Sequence, residues 1–348
     1  MIRSLKRLAF VLLLCVLVGG LSGAEPASQN NELPKKGVAQ QPEANARAKR
    51  KAKKADQPAI PPAGLEPTFA NVQYGPYERN VLDFWKAKSE KPTPLVVFIH
   101  GGGFVAGSKE KALQTPNVIR RCLDAGVSYA AINYRYRSTA PIQDILRDSA
   151  RAIQFMRSKA SEWNIDKARV AAYGGSAGAG TSLWLGFHDD LADPKSSDPV
   201  LRESSRLAVL GANACQCTYD IVRWKQILGD GPADNRAGAP GAFYGLKEGE
   251  DLESPRVKQI RADVDMLGLL SKDDPPVYLY SSQPNTPPTD RNHYVHHPKH
   301  AIAIKEKCDQ LGIESVLILN DTPLPTGKTR DDVMLDCFFR HLGVAQAK

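Results

Sequence analysis

The 348-residue sequence lacks an apolar run long enough to span a bilayer. Residues 8–18 are apolar throughout but number only 11, where a spanning helix needs about 20. Net charge is missing outside the N-terminal segment. The first 57 residues hold 11 Lys and Arg against 4 Asp and Glu, whereas the other 291 hold 35 against 34. The overall charge of +8 therefore belongs to the N-terminus, and the body has no electrostatic reason to bind nucleic acid. An internal repeat is also missing. At 42% apolar and 24% charged residues, the composition excludes a disordered, collagen-like or coiled-coil protein. Beyond residue 24 the cysteines are Cys122, Cys215, Cys217, Cys308 and Cys337, an odd set that leaves at least one unpaired or paired between chains. Cys215 and Cys217 are too close for an ordinary bridge with each other. No second cysteine or histidine pair at ligand spacing accompanies them, so buried small residues near a strand end are the better reading than a metal site.

What is present begins with Arg3, Lys6 and Arg7 ahead of the apolar run, followed by Gly19, Gly20 and the small residues Ser22, Gly23 and Ala24. This is the layout of a secretory leader. Its short apolar core favours cleavage after Ala24 over an uncleaved anchor, and so a secreted or periplasmic protein. Residues 25–60 are rich in Ala, Gln, Lys, Arg and Pro without apolar periodicity, which predicts a disordered linker. Its residues 47–54 carry six basic residues in eight. A solvated tail is the plainer reading of that run, and weak contact with an anionic surface the alternative.

From about residue 65 the pattern becomes that of an α/β domain extending over 61–348. Strands are expected at 71–77, 80–85, 95–99, 127–134, 170–173, 207–214, 276–280 and 315–319, with helices at 141–160, 177–187, 299–311 and 331–341. Short apolar strands alternating with helices predict a mostly parallel sheet covered on both faces. The polar, Gly-rich stretch 218–261 breaks that rhythm and reads as a cap-like insertion. Its Trp224, Phe243 and Tyr244 could line a pocket or simply pack.

Two glycine-rich turns carry the chemistry. His100-Gly101-Gly102-Gly103-Phe104 follows the strand at 95–99. Such a turn bends tightly and directs amide N–H groups into an open cleft, where they can stabilise a developing oxyanion. His100 is expected to brace it. Gly174-Gly175-Ser176-Ala177-Gly178 lies between the strand at 170–173 and a helix, the strand–turn–helix setting of a nucleophile elbow. Ser176 is the candidate nucleophile. The amide of Ala177, at a helix N-terminus, is expected to complete an oxyanion hole with those of Gly102 and Gly103.

With these motifs, together with residues 132–136 (Ile-Asn-Tyr-Arg-Tyr), Asp148 and residues 164–166 (Asn-Ile-Asp), the chain resembles the α/β-hydrolase superfamily over about residues 66–345. It is most similar to the esterase/lipase branch that includes hormone-sensitive-lipase-like and BD-FAE-like proteins. The resemblance implies an eight-stranded, mostly parallel sheet with flanking helices. It also implies cofactor-independent hydrolysis of a small-molecule or polysaccharide-linked acyl ester. Asp148 and Asp166 match structural positions.

The sequence departs from that family at the other two catalytic positions. A serine needs a base to take its proton, and the base needs an orienting acid. The family acid follows the strand at 276–280, where the usual spacing falls on Asn285; Asp290, five residues on, is the substitute. Asparagine can orient an imidazole but carries no charge. The family histidine follows the last strand, yet residues 320–328 contain none, and His341 lies near the end of the last helix. Histidines cluster upstream instead, at His293, His296, His297 and His300. His296 and His297, flanked by Pro298, are the candidate bases. A solvated loop, structural histidines or a metal site are the other readings of the cluster, though Pro298 argues against a continuous helix that would align His296 with His300. Without a base, the fold would be a slow esterase or a pseudo-hydrolase that binds a ligand in the retained pocket.

Overall fold

The computed structural model describes residues 61–229, 231 and 240–345. The expected leader and linker lie outside the described residues, as does part of the expected insertion. Eight strands form one sheet: β1 (Phe69–Gln73), β2 (Val81–Trp85), β3 (Thr93–Ile99), β4 (Ser128–Ile132), β5 (Ile165–Gly175), β6 (Val209–Asn213), β7 (Val277–Tyr280) and β8 (Ser315–Ile318). Their order is β1-β2-β4-β3-β5-β6-β7-β8. β2 runs antiparallel to both β1 and β4, and all the other pairs are parallel.

The central strands are apolar on both faces because helices cover both. Along β3, Leu95, Val97 and Ile99 join one core while Val96 joins the other, as the two-residue repeat of a strand requires. The first core receives the helices Ile142–Ser158, Ala177–Phe187 and Lys299–Leu311; the second receives Pro116–Asp124 and Arg330–His341. Ala177–Phe187 is buried on every side. Among the described residues no helix is long and apolar enough to cross a membrane.

The expected elements are found with shifted ends. The first strand covers 69–73 rather than 71–77. Asn71 takes a left-handed φ of 52° and donates its amide to Asp83 Oδ1 at 2.8 Å, so the β1–β2 ladder is interrupted there. Residues 74–80 then form a turn held by the Tyr74 amide on the Asn80 carbonyl. Between β6 and β7 the chain forms the helices Ile221–Leu228, Pro240–Tyr244, Pro255–Asp263 and Met266–Leu269, none of which shows a long apolar period. The five cysteines are buried and unbridged.

Asp148 is 4% exposed. Its two oxygens accept from Arg135 Nε and Nη2, each at 2.8 Å, and one also accepts the Arg135 amide at 3.1 Å. This clamp ties the loop after β4 to the helix Ile142–Ser158. Truncating one partner of a buried pair leaves the other charge uncompensated. Asp148→Ala is expected to lose about 3 kcal/mol of stability, read by urea unfolding. A loss below about 1 kcal/mol, the range of a surface pair, would show that the clamp is not structural.

Candidate functional site

β3 and β5 are parallel neighbours, with Ile99 opposite Gly174. The chain leaves β3 towards β4 and returns across it to β5, so the strand order reverses at this pair. Ligand crevices in open parallel sheets form at such a point, beyond the carboxyl ends of the strands. Both glycine-rich turns begin there and touch each other. A Cβ on Gly101 would lie 2.4 Å from the Gly175 carbonyl oxygen, and one on Gly178 would lie 2.0 Å from that of Ile99. Neither backbone oxygen can swing aside, so neither position admits a side chain without movement.

Ser176 sits between the last residue of β5 and the first of the helix Ala177–Phe187, at φ 53° and ψ −118°. A non-glycine residue held there stores about 1–3 kcal/mol of backbone strain. The surrounding strand, helix and contacting turns hold it. Gly103 and Ala177 line the same cleft as Ser176. His100 is fully buried, stacked on Tyr134 at 4.2 Å between ring centroids, with Nδ1 2.9 Å from the Gly101 carbonyl. Burial holds its pKa down at about 3, so it braces the turn as a neutral ring.

The upstream histidines occupy separate environments. His296 Nε2 lies 2.7 Å from Ser176 Oγ. Its Nδ1 lies 3.0 Å from the Asn292 carbonyl oxygen and 3.1 Å from Asn292 Oδ1. Both acceptors therefore come from the residue four positions earlier. The short helix Arg291–Val295 places that residue beneath His296, and Asp290 starts the helix by accepting the His293 amide at 2.8 Å. His297 Nε2 is instead bonded to the Thr286 carbonyl at 2.9 Å, and His293 Nε2 to the Pro284 carbonyl at 2.8 Å. These two rings stack at 5.1 Å and secure the loop after β7. His300 is fully buried, with Nδ1 3.3 Å from Cys217 Sγ. Among the described residues no group of three His, Cys, Asp or Glu is placed to hold a metal ion.

Three expectations need correction. His297 is not beside the serine, because its ring holds the Thr286 carbonyl. Asp290 caps a helix rather than orienting a base. Asn285 is exposed, and among the described residues it bonds no histidine. The residue that holds Nδ1 of His296 is Asn292, which the sequence reading missed. Its signal was available: Asp290 is a strong helix N-cap residue, and a helical turn begun there puts residues 292 and 296 on one face.

Burial, assisted by the charge of Arg291, holds the His296 pKa below its ordinary 6.5, while the hydrogen bond to Asn292 acts in the opposite direction. The ring is therefore neutral at pH 7, with Nε2 free to accept and Nδ1–H donating to Asn292. Trp224 and Phe243, from the segment between β6 and β7, line the cleft beside Tyr219 and Phe104. Tyr244 packs behind them, donating to the Tyr219 carbonyl at 2.7 Å. The cleft is small, about 90 Å³. A larger one of about 380 Å³, lined by Thr115, Arg121 and Asp331, contains neither Ser176 nor His296.

The contact between the two turns can be tested at Gly178. Helix propensity alone would make Gly178→Ala stabilising by about 1 kcal/mol. Overpacking against a fixed atom costs about 1–3 kcal/mol, and a methyl 2.0 Å from the Ile99 oxygen meets that case. The substitution is expected to lower Tm in a calorimetric scan. A Tm at or above the parent's would mean that the turns are not in contact.

Residues 82–222 match the BD-FAE family model. A probable isoprenylcysteine alpha-carbonyl methylesterase of Oryza sativa is 31% identical over 110 residues, which are 31% of this chain and 26% of that protein. A probable carboxylic ester hydrolase, LipM, of Mycobacterium tuberculosis is 31% identical over 165 residues, 45% of this chain and 36% of that one. The chain thus spans only about a quarter to a third of the length of these curated relatives. Among solved structures, a truncated carbohydrate esterase from gut microbiota superposes with a TM-score of 0.61 at 21% identity, covering 82% of this chain and 100% of that one. The sheet order, the reversal at β3 and β5 and these likenesses agree: the chain has the α/β-hydrolase fold, and its residues 82–222 match the BD-FAE family model.

Proposed function

We propose that this protein is a serine-dependent carboxylic ester hydrolase in which Ser176, His296 and Asn292 act together. The 2.7 Å approach of His296 Nε2 to Ser176 Oγ carries the reading. Ser176 Oγ attacks the ester carbonyl carbon while His296 Nε2 takes the hydroxyl proton. The oxyanion forms against the amides of Gly103 and Ala177, with Gly102 holding the turn or adding a third donor. The intermediate collapses as the carbon–oxygen bond to the alcohol breaks, and His296 returns its proton to the departing oxygen. Water then attacks acyl-Ser176, His296 again takes and returns one proton, and the carboxylic acid leaves. Ser176, His296 and water supply every proton transfer.

The small apolar end of the cleft favours short acyl groups, and the carbohydrate esterase among the structural neighbours supports a polysaccharide-linked acyl ester as the natural substrate. The leader-like residues 1–24 support export, for which a mature chain beginning at Glu25 is the check. Contact of residues 47–54 with an anionic surface belongs to the same reading. The alternative, a pseudo-hydrolase that only binds, is motivated by Asn285 at the acid position and the missing late histidine; the approach of His296 Nε2 to Ser176 Oγ weighs against it.

Ser176→Ala and His296→Ala are each expected to lower kcat on p-nitrophenyl acetate by about 10³-fold or more, whereas His297→Ala changes it by less than about tenfold. Equal rates for Ser176→Ala and the parent would refute the proposal, and a His297→Ala loss as large as that of His296→Ala would refute the choice of base.

The low pKa of His296 sets a pH dependence. The neutral ring is the active form, so kcat/KM is expected to rise with pH, reach half its plateau below pH 6.5 and stay level through neutrality. Asn292→Asp adds a charge that favours imidazolium. It is expected to move that limb up by about one pH unit or more and to raise kcat. Asn292→Ala keeps the backbone carbonyl that also holds Nδ1 and is expected to cost less than about tenfold. A pH–rate profile unmoved by Asn292→Asp would show that this residue does not face the working base.

A further inference from the structure

The wall of the Ser176 cleft is cationic on one side. Arg137 and Arg291 both line it, and none of the other lining residues is acidic. Several half-buried arginines elsewhere in the fold are paired with carboxylates. Arg135 is clamped by Asp148, Arg121 by Asp332 and Asp336, Arg256 by Glu250 and Arg261 by Asp220. Arg137 is similarly half-buried, yet among the described residues none bonds or ion-pairs with its guanidinium. Burial and the like charge of Arg291 push its pKa below the ordinary arginine value. The Arg137 charge, partly withdrawn from water, is repelled by that of the exposed Arg291, and a bound anion relieves both that repulsion and the lost hydration of Arg137.

The two arginines are also carried by the catalytic elements. The Arg137 amide donates to the Phe104 carbonyl at 2.8 Å, fastening it to the triple-glycine turn. Arg291 opens the helical turn that holds Asn292 and leads to His296. An anion seated between them is therefore indexed to the nucleophile. Planar guanidinium forks match a carboxylate in geometry as well as charge, while Phe104, Trp224 and Phe243 leave the rest of the cleft apolar.

We propose that the ester cleaved here bears a carboxylate, held by Arg137 and Arg291 beside the scissile bond. The inference rests on the ester-hydrolase reading and adds to it the class of substrate: either a half-ester of a dicarboxylic acid, with the charge on the acyl side, or an acylated uronic acid, with the charge on the alcohol side.

Two matched pairs of esters separate these sources. The acyl-side pair is p-nitrophenyl hemisuccinate against p-nitrophenyl methyl succinate. The alcohol-side pair is acetylated glucuronic acid against acetylated glucose. One charged member is expected to exceed its neutral partner in kcat/KM by about tenfold or more at low salt, with the ratio shrinking as salt is added. Arg137→Gln and Arg291→Gln, each checked for folding by circular dichroism, are expected to collapse that ratio. Charged members that are cleaved no better than neutral ones, or a preference that survives both substitutions, would overturn the proposal. If no ester of either charge is cleaved, the hydrolase reading fails by itself. Carboxylate seating is then read by calorimetric titration of succinate and of glucuronate into Ser176→Ala. Binding abolished by Arg137→Gln supports it, and absence of binding overturns it.

Discussion

The parallel pairing of β3 with β5 is the contact on which the site depends. It sets Ile99 beside Gly174 and so brings together two turns separated by 69 residues of chain. The approach is so close that backbone oxygens occupy the space where side chains would begin, at Gly101 and Gly178. That closeness holds Ser176 in a conformation that a lone turn would not keep. The strain is local, whereas the restraint comes from the buried central strands of the sheet, with a core on each face.

The proposed base is held differently. A single helical turn carries both the imidazole of His296 and the two oxygens of Asn292 that hold its Nδ1. This arrangement selects the tautomer through neutral acceptors. It does so without placing a negative charge beside the ring, and burial, assisted by Arg291, tips the balance towards neutral imidazole. Such a base is available at lower pH than a carboxylate-backed one, but its imidazolium is less well stabilised in the transition state. A cationic cleft wall fits the same logic, since a substrate carboxylate would lessen the positive field that opposes proton transfer to His296.

Much of the fold was legible in the sequence because the signals were local. β3, β4 and the second half of β5 carry short apolar runs, and the helices Ile142–Ser158, Lys299–Leu311 and Arg330–His341 have an apolar face. The helix Pro116–Asp124 was not read, since three buried positions, Val118, Ile119 and Cys122, make too short a period. The helices between β6 and β7 escaped for the same reason. Edge strand β1 moved because a left-handed Asn71 and its bond to Asp83 interrupt the pairing, which no periodicity reports. At the site, the serine and the glycines were legible from the residues next to them. Asn292 was not, because counting from β7 pointed to Asn285, while the working geometry is set by a helix that starts at Asp290.

By itself the sequence determined where the chain turns sharply and which hydroxyl stands on the turn, since glycine spacing and flanking apolar runs act over a few residues. It also determined that the segment directly after the last strand, residues 320–328, contains no histidine. Only the tertiary structure decided which upstream histidine faces Ser176. His293, His296, His297 and His300 are nearly equivalent in sequence. They are separated by what the packed loop offers each ring: the Pro284 and Thr286 carbonyls for His293 and His297, a buried thiol for His300, and the Ser176 hydroxyl for His296. Those partners lie on different elements, and their distances are set by how the sheet and its covering helices pack.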